Sequence, residues 1–162
     1  MAWLSDSAFS FMVSEAKATA PLETGGVLLG YWVTRHEVVI TRCIGPGPNA
    51  VHRRSSYRPD YDYQEAEIER VFRETEGAHV YLGDWHTHPG AKTAHLSWKD
   101  RATIRRIAES PDAQAPTPLM LVLCGDDVDW APYAWIGRLQ VTWRVWRHVY
   151  LSRAELRLYR GE

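Results

Sequence analysis

Leu119, Met120, Leu121, Val122, Leu123 and Cys124 form an apolar run with no polar interruption. A stretch of this length without alternation fits a strand covered on both faces, so it predicts a central strand with layers packed above and below it. Residues 130–136 are expected to pair with it across a turn at Gly125, Asp126 and Asp127. Upstream, Ser5 or Asp6 can cap a helix whose apolar residues Ala8, Phe9, Met12, Val13 and Ala16 keep helical spacing until Pro21. Residues 25–33 and 37–44 read as a hairpin linked by Thr34, Arg35 and His36. Gly45, Pro46, Gly47, Pro48 and Asn49 break the pattern, and the polar stretch through Pro59 reads as a loop. A second helix is predicted over 60–75, with Tyr61, Ile68, Val71 and Phe72 on one side. A strand over 79–86, a helix over 98–110 and a proline-containing loop over 111–118 follow. Leu139, Val141, Trp143, Val145, Val149 and Leu151 alternate with Gln140, Thr142, Arg144, Trp146 and His148, which predicts one further strand with water or a partner on its polar face. The order α, β, β, α, β, α, β, β, β belongs to the α/β class: a mixed β-sheet flanked by helices, in one domain over residues 1–162.

Composition removes several function classes. With 19 basic and 20 acidic residues and a formal charge of −1, nothing electrostatic favours nucleic acid. The arginines at 144, 147, 153, 157 and 160 read as a solvated or partner-facing end. Cys43 and Cys124, each within an apolar run, fit buried free thiols in a reducing compartment. The N-terminus has no basic region followed by an apolar one, and no window of about 20 apolar residues occurs, so a cytoplasmic protein with no membrane partner is expected.

The chemistry concentrates in Gly83, Asp84, Trp85, His86, Thr87, His88 and Pro89, continued by Ser97 and Asp100. At the end of a strand His86 and His88 point to one face, and Asp84 shares that parity, while Trp85 and Thr87 turn to the core. Taken singly, each piece has a commoner structural reading. Two histidines in a strand can simply be half-buried and hydrogen-bonded, and Ser97 with Asp100 is also a helix capping box. Taken together, His86, His88 and Asp100 would make three protein ligands with a fourth position left open, the arrangement of a catalytic zinc. Asp84 reads either as a partner orienting an imidazole or as an exposed strand-end carboxylate, and His95 as a loop histidine on the substrate side.

These residues resemble the JAMM (MPN-domain) metallopeptidases, whose pattern is an early glutamate, then His-Ser/Thr-His-Pro, seven residues, then Ser-x-x-Asp. Here Glu23 precedes Thr24, Gly25 and Gly26, and His86, Thr87, His88 and Pro89 are followed by residues 90–96, then Ser97 and Asp100. The resemblance covers roughly residues 5–136 and implies an MPN fold related to the cytidine deaminase architecture. It implies Zn2+ on His86, His88 and Asp100, Glu23 as the base that orients and deprotonates the attacking water, and Ser97 as donor to the oxyanion. The substrate it implies is a bond after the C-terminal tail of a ubiquitin-like protein or of its conjugate, with E1/E2-like conjugation proteins as partners. Residues 81–89 are similar to the deconjugating peptidases of CBASS-type antiphage operons. Trimming of a sulfur-carrier precursor and a non-catalytic MPN scaffold are the alternatives. A zinc deaminase would need His-x-Glu and Pro-Cys-x-x-Cys, which the chain lacks.

Overall fold

The computed structural model describes residues 1–126, 128–142 and 146–160, with Trp146 described by its backbone alone. In chain order the elements are β1 (Ala2–Ser5), α1 (Asp6–Thr19), β2 (Gly25–Thr34), β3 (Glu37–Ile44), β4 (Val51–Arg53), β5 (Ser56–Arg58) and α2 (Tyr61–Glu74), followed by β6 (Val80–Pro89), α3 (Trp98–Glu109), β7 (Leu119–Gly125), β8 (Trp130–Thr142), β9 (Trp146–Ala154) and β10 (Leu156–Tyr159). Eight strands form one sheet in the order β10-β1-β3-β2-β6-β7-β8-β9, and β4 pairs with β5 in a separate ribbon. The sheet is mixed: β1 runs parallel to both β10 and β3, and β6 runs parallel to β7. Its two outer strands, β9 and β10, are joined through Glu155 alone, so the sheet has to curl until its edges meet.

The central-strand expectation holds at β7, and the packing shows why the run is apolar throughout. Leu119, Leu121 and Leu123 join Leu4, Met12, Leu28, Ile40 and Trp85 in the core under α1. Met120, Val122 and Cys124 point the other way, into a second core with Ile104 of α3. A third, smaller core joins Val27, Leu29 and Ile44 to Val71 of α2. The helix starts obey local chemistry. Ser5 caps α1 by accepting from the Ala8 amide, and Asp60 caps α2 by accepting from the Tyr63 amide.

Three expectations are corrected. The short strands β1 and β10 have no counterpart in the expected order; four-residue segments carry too little periodicity, and pairing with distant partners makes them strands. The loop expected up to Pro59 contains the β4–β5 ribbon. The strand expected through 139–151 is two strands: the chain reverses between Thr142 and Trp146, so Leu139 faces Val149 and Gln140 faces His148. Trp143, Arg144 and Val145 of that prediction, and Asp127 of the predicted turn, lie outside the described residues. On α2, Tyr61, Ile68 and Phe72 do share a side, lining one open cavity with Tyr61 and Phe72 60% and 49% exposed, while Val71 is buried.

Candidate metal centre

Strand β6 carries the two histidines, and a glycine sets their direction. Between Leu28 and Leu29 of β2 the register with β6 shifts, so Gly83 faces Leu28 while Tyr81 faces Leu29. Gly83 has φ of 146°, and a Cβ there would collide with the backbone carbonyl of Leu119. Beyond this bulge Trp85 and Thr87 are fully buried, and His86 and His88 line the opposite face. Thr87 also ties this strand to the segment before β2: its amide donates to the Thr24 carbonyl at 2.8 Å, and its Oγ1 accepts from the Thr24 amide at 2.9 Å.

Asp100 comes from the first turn of α3, and the helix cap orients it. Ser97 Oγ accepts from the Asp100 amide at 3.2 Å, and Asp100 Oδ2 accepts from the Ser97 amide at 2.7 Å. That leaves Oδ1 directed at His86 Nε2, 3.4 Å away. The capping reading and the ligand reading are therefore compatible: one carboxylate oxygen serves each. Ser97 uses only a lone pair in the cap, so its O–H remains able to donate.

His86, His88 and Asp100 form a compact donor set, all three atoms within 4.8 Å of one another. The two Nε2 atoms are 3.1 Å apart. Ligands at about 2.0 to 2.1 Å around a tetrahedral ion would stand about 3.3 Å from each other, so these spacings fit a zinc-sized cation. Burial holds both imidazoles below the usual histidine range, against the opposing pull of Asp100, and keeps them neutral with lone pairs available. The side chains of His86 and Asp100 are only 9% and 13% exposed, so an ion here would replace most of its water by protein.

Glu23, in the segment between α1 and β2, enters the same cavity as His86, His88, Ser97 and Asp100. The cavity, of about 1200 Å³, lies between α2 and α3, with Ile68, Phe72, Val80, Tyr81 and Trp98 among its apolar lining. Burial first, and then the Asp100 carboxylate, push the Glu23 carboxyl up from 4.5 to about 7, with the Lys99 ammonium opposing. A carboxyl poised near neutrality is suited to both taking and giving a proton.

Asp84 departs from both readings of it. It is neither exposed nor bonded to an imidazole; Tyr81 donates its hydroxyl to Asp84 Oδ1 at 2.7 Å, and burial still raises the carboxyl to about 6. His95 is exposed, in the loop before α3, and is not part of the cavity wall. Sequence reasoning missed His52 and Tyr57 of the ribbon and Arg106 of α3. Tyr57 and Arg106 line the cavity, and the only signal for the ribbon was a short alternation inside a polar stretch. Both cysteines are free, and burial pushes their thiols up, as expected of inert residues.

Residues 5–149 match the family profile described as prokaryotic homologs of the JAB domain. The chain belongs to that family. A probable metalloprotease, y4qB, of Sinorhizobium fredii is 39% identical over 158 residues, covering 98% of this chain and 96% of the relative. A CD-NTase/cGAS isopeptidase of Vibrio cholerae is 31% identical over 116 residues, 72% of this chain and 67% of the relative. Among solved structures, protein DSY2949 of Desulfitobacterium hafniense superposes with a TM-score of 0.65 at 16% identity, over 99% of this chain and 94% of that one, a likeness of fold. Among the described residues no helix is long and apolar enough to cross a membrane.

Proposed function

We propose that this chain is a zinc-dependent peptidase of the JAMM type, with residues 1–162 acting as one catalytic domain. Its reaction is hydrolysis of the amide or isopeptide bond that follows the C-terminal tail of a ubiquitin-like protein. The observation that carries this reading is the meeting of Glu23 with His86, His88, Ser97 and Asp100 in one cavity, although Glu23 lies on a different segment of the chain. Zinc is the ion we assign to the His86, His88 and Asp100 set, where it would polarise the scissile carbonyl and acidify water. Glu23 takes a proton from the attacking water and hands it to the departing amine. Ser97 donates its free O–H to the carbonyl oxygen as negative charge develops there.

The cavity, which sets apolar side chains such as Ile68, Phe72 and Trp98 beside the two histidines, suits an extended tail better than a folded surface. Similarity to CD-NTase/cGAS isopeptidases of Escherichia coli and Vibrio cholerae supports a conjugated-protein substrate. We assign the chain on that basis to the reversal of a ubiquitin-like conjugation pathway in cytoplasmic antiphage defence, acting alongside E1/E2-like proteins.

The test is to express Glu23→Gln in a bacterial host carrying such a pathway, recover what remains bound and read the joined peptide by mass spectrometry. A ubiquitin-like tail linked to a cyclase-like protein supports the proposal. A free sulfur-carrier precursor moves the role to biosynthesis. Recovery of neither, together with a wild-type protein that binds no zinc, refutes the peptidase reading.

A further inference from the structure

Glu23 lies outside every helix and strand, yet both of its backbone polar groups are held by the β4–β5 ribbon. Its amide donates to the Arg53 carbonyl at 2.8 Å. Its carbonyl accepts from His52 Nδ1 at 3.0 Å. A carbonyl oxygen carries no proton, so His52 must bear hydrogen on Nδ1 for this contact to be a bond. The ribbon is seated at a second point. Tyr57 stands opposite His52 across the ribbon, and its ring lies so close to Gly25 that a Cβ there would be 2.6 Å from the ring's Cζ and hydroxyl oxygen. Two strands of three residues are not stable alone in water, so the ribbon depends on these contacts as much as Glu23 does.

We propose that His52 is a positioning residue for Glu23, acting through the Glu23 main chain to set where the carboxyl stands in the cavity. This rests on the reading of Glu23 as the proton carrier. Two anchors hold the main chain at that carboxyl. The N–H and C=O of Glu23 are bonded to the ribbon, while the Thr24 N–H, in the same planar peptide as the Glu23 carbonyl, donates to Thr87 on the strand of the candidate metal donors. Loss of His52 therefore leaves that strand in place and removes one of the two bonds that fix this peptide plane, loosening the carbonyl side of Glu23. Misplacement of a reacting group by about 1 Å can cost about 100-fold in rate.

The experiment compares His52→Leu with His52→Asn, whose amide nitrogen stands as many bonds from Cβ as Nδ1 and can donate the same bond. On a ubiquitin-like tail peptide carrying a fluorogenic amide, His52→Leu should lose about 10- to 100-fold in kcat with KM and bound zinc per chain close to wild type. His52→Asn should recover most of that loss. If His52 only supports the fold, both variants lower the melting temperature while kcat per zinc-loaded chain stays at the wild-type value, which overturns the proposal. Nitrogen NMR of the histidine rings, recorded on Glu23→Gln, reads the contact without any turnover: hydrogen on Nδ1 supports it, and hydrogen on Nε2 alone overturns it. A wild-type enzyme inert on the tail peptide but showing the Nδ1–H ring defeats the substrate reading while keeping the contact.

Discussion

Replacing Glu23 by Gln should stabilise the zinc-free protein at alkaline pH and leave its stability unchanged in acid. The Glu23 carboxyl is raised from 4.5 to about 7, chiefly by burial and then by Asp100. A carboxyl whose folded value lies above its unfolded value favours the folded state only while it stays protonated. Wild-type stability therefore falls as pH rises from about 4.5 through about 7, and levels off above that. A tenfold change in proton affinity corresponds to about 1.4 kcal/mol, which sets an upper figure of about 3.5 kcal/mol. Solvent reaching this half-buried group reduces it to between about 1 and 3 kcal/mol. Gln has the same shape without the charge and so has no such slope. Urea unfolding of both proteins in chelator at pH 4.5, 6, 7 and 8 reads the difference directly. It should be close to zero at pH 4.5 and reach its full value at pH 8. A difference that is the same at every pH, or a Gln variant that is less stable at pH 8, would refute the claim that a buried charge is held there at a cost to folding. The same variant should keep its zinc and lose turnover, because the donors lie on β6 and α3 rather than on this segment.

His88→Ala should bind no zinc by metal analysis. Excess zinc at about 1,000 times Kd should raise wild-type stability by about 4 kcal/mol while leaving this variant unmoved. Ser97 has two jobs that substitutions can separate: Ser97→Ala should cost about 1 kcal/mol as a lost cap and about 100- to 1000-fold in kcat, whereas Ser97→Asn should restore the stability and not the rate. Equal rates in Ser97→Asn and wild type would remove Ser97 from the chemistry. Tyr81→Phe takes away the hydroxyl that Asp84 accepts. Because that bond favours the charged carboxylate, whose value is about 6, the loss should be about 1 to 3 kcal/mol above pH 7 and should shrink below pH 5, as followed by thermal melting.

The candidate donor set was legible because its members are close in the chain and each obeys a local rule. Alternation along an extended strand turns His86 and His88 to one side, and a capping box turns one oxygen of Asp100 toward them. The apolar run of β7 likewise announced a strand covered on both faces. Where local pattern is shared by two structures, reading failed. An antiparallel reversal preserves alternation, so residues 139–151 looked like one strand although Gln140 lies opposite His148. Asp84 shares the parity of the histidines, but parity names a face and not a partner, and the Tyr81 hydroxyl donates to Asp84 the bond that, on one of its two readings, an imidazole would have donated.

By itself, the sequence determined the candidate donor set, the central strand and the mixed α/β class, since side-chain periodicity and capping act within a few residues. Only the tertiary structure decided how Glu23 is held. Thr24 meets Thr87 across 63 positions of chain, and Glu23 takes its backbone partners from a six-residue ribbon that no local preference would form. Contacts of that range are made by closing the sheet and burying its faces. A local pattern does not encode them.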